Sequence, residues 1–122
     1  MKLTKNKIIG NSGEIIARDY LISIGYEIIE SNWHFSKNSE VDIIAKDKNT
    51  LVFVEVKTRS SLNYGHPLEA VGQKKIQKIY MAALAYLDQT KIKYDNYRID
   101  VISIIGLKNS EIEHLKNIGL DL

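Results

Sequence analysis

The chain has 122 residues, a length that suits one domain with a single hydrophobic core. Hydrophobic residues make up 44% of it and charged residues 26%, which excludes the disordered and fibrous classes. The absence of cysteine excludes a disulfide framework, a thiolate metal site and a cysteine nucleophile, and the net charge of +2 is too small to indicate a nucleic-acid partner by itself.

The N-terminal segment 1–7 is basic, but no apolar run follows it. We therefore expect neither a signal peptide nor a membrane span, and we expect a cytoplasmic protein. Because no repeat or low-complexity segment interrupts the sequence, residues 1–122 are expected to form a single domain.

A first helix is predicted to begin with Asn11 or Ser12 as its cap and to end at Gly25. Its apolar face would consist of Ala17, Tyr20, Leu21 and Ile24. Glu14 lies in the first turn, at the edge of that face. The sequence leaves two roles open for this acid: stabilising the helix dipole, or reaching across a sheet toward a cation.

Three strands are predicted next, over 26–35, 39–45 and 51–59, because these runs are rich in Val, Ile and Phe and are bounded by polar turn residues. The connections between them, at 36–39 and 46–50, are short. Short connections favour an antiparallel meander.

The second and third strands carry acids inside apolar runs, where a charge is costly unless something compensates it. Alternation of side chains places Glu55 and Lys57 on one face of the third strand, and it likewise places Glu40 and Asp42 on one face of the second strand. If the two strands are neighbours, Asp42 lies beside Glu55. Two negative charges about 4 Å apart repel by roughly 4 kcal/mol at an effective dielectric of about 20. Either one carboxyl group holds a proton or a divalent cation lies between the two.

The alternative is a surface hairpin whose charges are solvated. Val52, Val54 and Val56 occupy one face of the third strand, while Leu51 and Phe53 begin the other. Two apolar faces are typical of a covered central strand, which favours the site over the hairpin.

After Arg59 we expect a loop over 60–67, which contains Pro67, the only proline, and then a second helix. The apolar positions of this amphipathic helix are Ile76, Ile79, Tyr80, Ala83 and Leu87. Lys74, Lys75 and Lys78 crowd its N-terminal half, where the helix dipole disfavours cations. A helix start with lysines is suited to phosphate, although each lysine alone could simply be solvated.

A fourth strand is predicted over 96–105, with Arg98 and Asp100 on one face and paired with each other. Ser110 is expected to cap a short terminal helix. The inward positions of that helix would be Ile112, Leu115 and Ile118. The second helix allows a right-handed crossover to the fourth strand. The predicted class is α/β: a mixed sheet of about four strands flanked by helices, in the order helix, three-strand meander, helix, strand, helix.

Several short motifs follow one another over nearly the whole chain. They are Gly10-x-x-Gly13-Glu14-x-x-Ala17, Gly25-Tyr26, Asn32-Trp33, segment 40–44, segment 52–59, Gly65-x-Pro67-x-Glu69-Ala70-Val71, Lys75 and segment 98–101. This ordered set resembles the YraN family of predicted endonucleases, in the restriction-endonuclease-like PD-(D/E)xK superfamily, distantly similar to archaeal Holliday junction resolvases. The chain departs from the family at His34 and Ser39, where Arg and Gly are usual, and lacks a proline before Asp42.

The resemblance implies a metal-dependent endonuclease that hydrolyses phosphodiester bonds in nucleic acid, in DNA rather than RNA and in branched or structured DNA in particular. Oxygen ligands imply Mg²⁺ or Mn²⁺ as the cofactor. Asp42 and Glu55 would ligate the ion directly, and Glu14 would ligate the ion or a bound water. Lys57 would orient that water or stabilise the negative charge of the transition state.

A second group of residues is expected around this catalytic set. The candidate contacts to the nucleic acid are Arg59, Lys74, Lys75 and Lys78. Glu40 and Gln73 are second-tier candidates for placing a water or a phosphate. His34 and His66 show no partner in the sequence and are expected to be structural or loop residues.

Two other classes of function stay open: a module that binds nucleic acid without cutting it, and a small partner subunit of a nucleic-acid-processing complex. Since one active site cuts one strand, cleavage of both strands would require a homodimer. No recognition helix or zinc finger is evident, so we expect the protein to read the backbone rather than the base sequence.

Overall fold

The fold comes from a computed structural model that describes residues 5–59, 71–106 and 109–118, with side chains from residue 12 onward. Its elements are α1 (Lys5–Ser23), β1 (Glu27–Ser36), β2 (Ser39–Asp47), β3 (Thr50–Arg59), α2 (Gln73–Gln89), β4 (Asn96–Ile105) and β5 (Glu111–Leu115). Neither helix among these residues is long and apolar enough to cross a membrane. The predicted loop over 60–67, with His66 and Pro67, lies outside the described residues.

The strands form one mixed sheet in the order β1-β2-β3-β4-β5. β1, β2 and β3 pair antiparallel, which confirms the predicted meander. β3 and β4 pair in parallel, because the connection through α2 returns the chain to the end of the sheet at which β3 begins. The predicted mixed α/β architecture is therefore confirmed.

The predicted terminal helix is wrong, because segment 111–115 forms the edge strand β5, antiparallel to β4. Pairing with β5 satisfies the backbone groups that β4 would otherwise expose at the sheet edge. The Ser110 hydroxyl does not cap a helix and donates its hydrogen bond to the carbonyl of Gly106, 2.6 Å away. The sheet consequently has five strands rather than about four.

The first helix begins earlier than the cap signal predicts, because α1 starts at Lys5 and includes both Asn11 and Ser12. Its predicted end is confirmed. Gly25 has a φ of 96°, and its N–H donates to the carbonyl of Ile22 at 3.0 Å, as in a helix closed by a left-handed glycine. Ile24 follows the helix and is 43% exposed, so it is not part of the buried face.

Each face of the sheet packs against one helix. Ala17 and Leu21 of α1 pack on the face formed by Val52 and Val54, and α2 covers the opposite face. The fully buried residues on the α2 side include Leu51 and Phe53. Since the central strand β3 is covered on both faces, the solvated hairpin is excluded.

Candidate active site

Asp42 marks the point where β2 and β3 stop pairing. Their ladder runs from the pair Asp47–Thr50 to the pair Ile43–Val54. Just beyond it, Oδ2 of Asp42 accepts a hydrogen bond of 2.8 Å from the backbone N–H of Val56. A buried N–H needs an acceptor, so the Asp42 side chain replaces the carbonyl that a continued ladder would supply.

The packing of β2 shows the same break. In a regular strand, residues two apart share a face. Ile43 packs with the α1 core, whereas Val41 packs with Ile44 in the α2 core. The alternation therefore fails at Asp42, where the carboxylate turns toward β3.

Glu55 lies on β3, and its side chain is only 4% exposed. Its Oε1 is 3.8 Å from the Nζ of Lys57 and 3.8 Å from the Nζ of Lys75. Its Oε2 is buried and has no hydrogen-bond donor among the described residues. The carboxyl groups of Glu55 and Asp42 lie within hydrogen-bonding reach of each other, as the sequence predicts. A proton or a cation is needed to make this contact favourable.

Burial raises the pKa of Glu55 to about 8, and the negative charge of Asp42 adds to the rise, while Lys75 and Lys57 oppose it. Burial also raises the pKa of Asp42, against the hydrogen bond from the Val56 N–H, which stabilises the ionised form. In the protein without a bound cation, the pair of Glu55 and Asp42 therefore shares a proton at neutral pH.

Glu14 reaches the same region from α1. A Cβ on the neighbouring Gly13 would collide with Oγ1 of Thr58, so the glycine lets α1 approach β3 closely. Burial raises the pKa of Glu14, the charge of Asp42 raises it further, and a hydrogen bond from the Asn32 side chain opposes the rise. Glu14 thus lies within the electrostatic field of the carboxylate pair.

The three acids do not form a closed cage. No group of three or more carboxyl or imidazole side chains in the described parts of the chain is close enough to hold one ion. Asp42 and Glu55 come together, and the charge of Asp42 raises the pKa of Glu14. The ligand set Asp42, Glu55 and Glu14 stays a prediction.

Two lysines border the pair. Lys57 comes from the same strand face as Glu55, as predicted, and Lys75 comes from α2. Their side chains are 32% and 35% exposed, so each ammonium group lies between the buried carboxyl group and solvent. The sequence predicts Lys75 as a contact to nucleic acid, and the structure also pairs it with Glu55.

A cavity of about 260 Å³ adjoins this pair. Its lining residues are Lys37, Asn38, Glu40, Lys75 and Lys78. The residues Lys37 and Asn38, in the turn between β1 and β2, are absent from the predicted site. A polar turn directly before the acidic strand is the signal that points to them.

The other predicted residues lie at the margin. Gln73 and Lys74, at the start of α2, and Arg59, at the end of β3, are not among the residues that line the cavity. Oε2 of Glu40 is 3.4 Å from Nδ1 of His34, a partner for this histidine that the sequence does not show.

A second polar cluster lies on the α1 face of the sheet. The predicted pairing of Arg98 with Asp100 is confirmed, with Nε donating to Oδ1 at 3.0 Å. The cluster also contains a contact that the sequence does not indicate: Nε2 of His114, on β5, is 2.7 Å from Oδ2 of Asp100. Nδ1 of the same ring is 3.0 Å from the hydroxyl of Tyr20.

The fold and the site together define a mixed α/β domain with a carboxylate pair of buried Glu55 and partly buried Asp42, two flanking lysines and an adjoining cationic cavity. The model of the family described as "Uncharacterised protein family UPF0102" matches residues 13–104, which include all of these site residues. The chain belongs to the UPF0102 family.

Similar proteins occur in distant bacteria. A "UPF0102 protein" of Paenarthrobacter aurescens is 40% identical over 113 residues, which cover 91% of this chain and 93% of the relative. One from Trichlorobacter lovleyi is 44% identical over 115 residues, covering 92% and 90%. One from Clostridium botulinum strain Kyoto is 50% identical over 101 residues, covering 82% and 81%.

Proposed function

We propose that this UPF0102 protein is a metal-dependent nuclease that hydrolyses phosphodiester bonds in DNA, preferring branched or structured DNA, and that it belongs to the PD-(D/E)xK superfamily. The observation that carries the proposal is the pair formed by buried Glu55 and partly buried Asp42 at the break between two strands, with Lys57 and Lys75 beside it. The ordered motifs that resemble the YraN endonucleases support the same conclusion.

The pair suits a hard divalent cation. Oε2 of Glu55 is buried and accepts no hydrogen bond from the described residues, so this oxygen is one that a cation could coordinate. Mg²⁺ is commonly held by one or two carboxylates together with water and substrate phosphates, so a two-acid site fits it, and Mn²⁺ takes the same ligands. Asp42 and Glu55 would hold the ion, and Glu14 would ligate it or a water bound to it. When bound, the ion would polarise the phosphate and lower the pKa of a water.

The lysines make the site accessible to an anion. Two carboxylates alone would repel a phosphate, whereas the half-exposed ammonium groups of Lys57 and Lys75 lie between Glu55 and solvent. Lys57 can therefore stabilise the negative charge that grows on the phosphate in the transition state, or orient the attacking water. Lys75 attracts the phosphate and offsets the charge of Glu55.

The test is cleavage of supercoiled plasmid and of a synthetic four-way junction in the presence of Mg²⁺ or Mn²⁺. We expect Lys57→Ala to reduce the rate by about 100-fold or more, the scale of losing one group that stabilises transition-state charge. Glu55→Gln is expected to reduce it at least as much. Lys91→Ala, an exposed lysine beyond the end of α2, is the matched control and should cut like the wild type.

The other classes of function give different results. Binding of DNA without any product, with either ion, would indicate a module that only holds nucleic acid. Absence of DNA affinity even at low salt would indicate a partner subunit. Either outcome would refute the proposed nuclease. Because one copy has one such site, nicked circles should accumulate before linear DNA unless the protein forms a homodimer.

A further inference from the structure

The cavity beside the carboxylate pair lies between the β1–β2 turn and the first half of α2. The turn supplies Lys37 and Asn38, the helix supplies Lys75 and Lys78, and Glu40 is the one acid among the described lining residues. Lys75 and Lys78 lie three residues apart, a spacing that places both on one side of a helix. The five lining side chains carry a net charge of two positive units.

Two of these cations have no ion-pair partner among the described residues. The described ion pairs involve Lys57 and Lys75 with Glu55, Arg98 with two acids, and two histidines, but neither Lys37 nor Lys78. Nor does α2 have an acid in its first turn to offset its lysines. Cations that face one cavity from two separate elements repel each other, and a bound anion would remove that cost.

The size and polarity of the cavity indicate a phosphate group. A space of about 260 Å³ is several times the roughly 30 Å³ of one water molecule and falls below the usual range of whole-ligand pockets. Lysine binds phosphate as a point charge, and the Asn38 amide can donate a hydrogen bond. Glu40 has one oxygen held by His34, at 3.4 Å.

Lys75 connects the cavity to the carboxylate pair. It lines the cavity, and its Nζ lies 3.8 Å from Oε1 of Glu55. A phosphate in the cavity and a phosphate at the pair would therefore share one ammonium group. Neighbouring phosphates of one strand can satisfy both positions at once.

We propose that the cavity binds a phosphate of the nucleic-acid strand next to the phosphate that is cleaved, and that Lys37 and Lys78 thereby position the strand. The position of the bound phosphate, next to the phosphate that is cleaved, rests on the proposed function. The binding of a backbone phosphate does not, because it needs only the cavity and its lysines.

The first test measures binding without cutting. Wild type, Lys37→Ala, Lys78→Ala and the double variant are titrated with a fluorescent four-way junction in chelator at several salt concentrations. Each single variant should weaken binding and reduce the slope of log affinity against log salt by about 1, and the double variant by about 2. Lys91→Ala should keep the wild-type slope, and circular dichroism checks that each variant is folded. Unchanged slopes in the double variant would overturn the proposal.

The second test locates the phosphate. In a short duplex, one phosphate at a time is replaced by an uncharged methylphosphonate. At one position the replacement should weaken binding to the wild type and have little effect on the double variant, since the charge and its lysines act as a pair. If every position affects both proteins equally, the cavity binds no particular phosphate and the proposal fails. Inorganic phosphate is added as a competitor to test whether the cavity prefers a free anion to the strand. A preference for the free anion would also overturn the proposal that the cavity binds the strand.

The two proposals can fail separately. Loss of the salt slope in the double variant, in a protein that never cuts DNA, would support the phosphate cavity and refute the nuclease. Normal cutting by the wild type with an unchanged salt slope in the double variant would support the nuclease and refute the cavity. In a protein that cuts, Lys37→Ala should raise KM with little change in kcat, because it removes binding common to the substrate and the transition state.

Discussion

At the scale of single residues, Glu55 lies on the central strand with 4% of its side chain exposed, next to the carboxyl group of Asp42. Two acids can lie together inside a protein only if one is protonated or a cation neutralises them. Because burial raises the pKa of Glu55 to about 8, a proton reduces the negative charge of the pair when no ion is bound. The same pair therefore has two states that experiments can distinguish.

The protonated state predicts an unusual pH dependence of stability. The pKa of Glu55 is about 8 in the folded protein and about 4.5 when unfolded, so the folded state binds more protons between these values and stability falls as pH rises through them. In chelator, Glu55→Gln should remove this cost. We expect the variant to exceed the wild type in unfolding free energy by on the order of 3 kcal/mol at pH 8.5, and by far less at pH 5.

Denaturant unfolding at both pH values measures this difference. Glu30→Gln, at an exposed position of β1, is the matched control and should keep the pH dependence of the wild type. A wild type and a Glu55→Gln variant with parallel pH profiles would show that Glu55 is ionised in the folded protein.

The cation-bound state predicts stabilisation by Mg²⁺ or Mn²⁺. A ligand at about 100 times its dissociation constant adds roughly 2.7 kcal/mol to the unfolding free energy. Asp42→Asn should abolish this gain without unfolding the protein, because the amide oxygen can still accept the hydrogen bond from Val56. Thermal unfolding with and without the ion measures the effect, and an equal shift in the variant would exclude Asp42 as a ligand.

At the scale of elements, the Asp100 cluster holds the edge strand β5 on the sheet. Asp100 is fully buried and contacts Nε2 of His114 at 2.7 Å, while Oδ1 accepts a hydrogen bond of 3.0 Å from the backbone N–H of Asn117. The ring of His114 also packs edge-on against Tyr20, with 5.5 Å between ring centroids. One carboxylate thus connects β4, β5 and α1.

Removing the carboxylate of Asp100 should weaken the attachment of the edge strand β5 to the sheet. Asp100→Ala removes the buried carboxylate that accepts hydrogen bonds from Nε of Arg98 and the backbone N–H of Asn117, so we expect the unfolding free energy to fall by about 3–5 kcal/mol. Hydrogen exchange should show the loss of protection first in β5. Asp88→Ala, which replaces an exposed acid on α2, is the control and should change the protection little. Uniform loss of protection, with β5 no more affected than β1, would contradict this role.

The same cluster should govern stability in acid. Burial alone would raise the pKa of Asp100, but hydrogen bonds from His114, the Asn117 N–H and Arg98 lower it below its ordinary value of 3.8. A lowered pKa contributes stability that is present at neutral pH and is lost as pH falls through the folded value. This contribution and that of Glu55 have opposite signs, which separates them in a pH series.

At the scale of the whole molecule, the mixed sheet was predictable because its strands follow local signals. Runs rich in Val and Ile mark β2, β3 and β4, and Gly25 marks the end of α1. The terminal helix was predicted wrongly because Ile112, Leu115 and Ile118 have a helix-like spacing, whereas pairing with β4 decided the conformation of segment 111–115. The start of α1 was also misplaced, since residues that favour a cap can also lie inside a helix, as Asn11 and Ser12 do.

Local patterns in the chain were enough to predict which strands carry acids, which positions alternate toward the core, and that Asp42 would lie near Glu55. These properties depend on residues close in the chain and on strand geometry. The packed fold was needed to show that Asp42 accepts the Val56 N–H, that Lys75 reaches Glu55, that Lys37 shares a cavity with Lys78, and that His114 contacts Asp100. Each of these contacts joins residues of different elements, so it forms only when those elements come together in the fold.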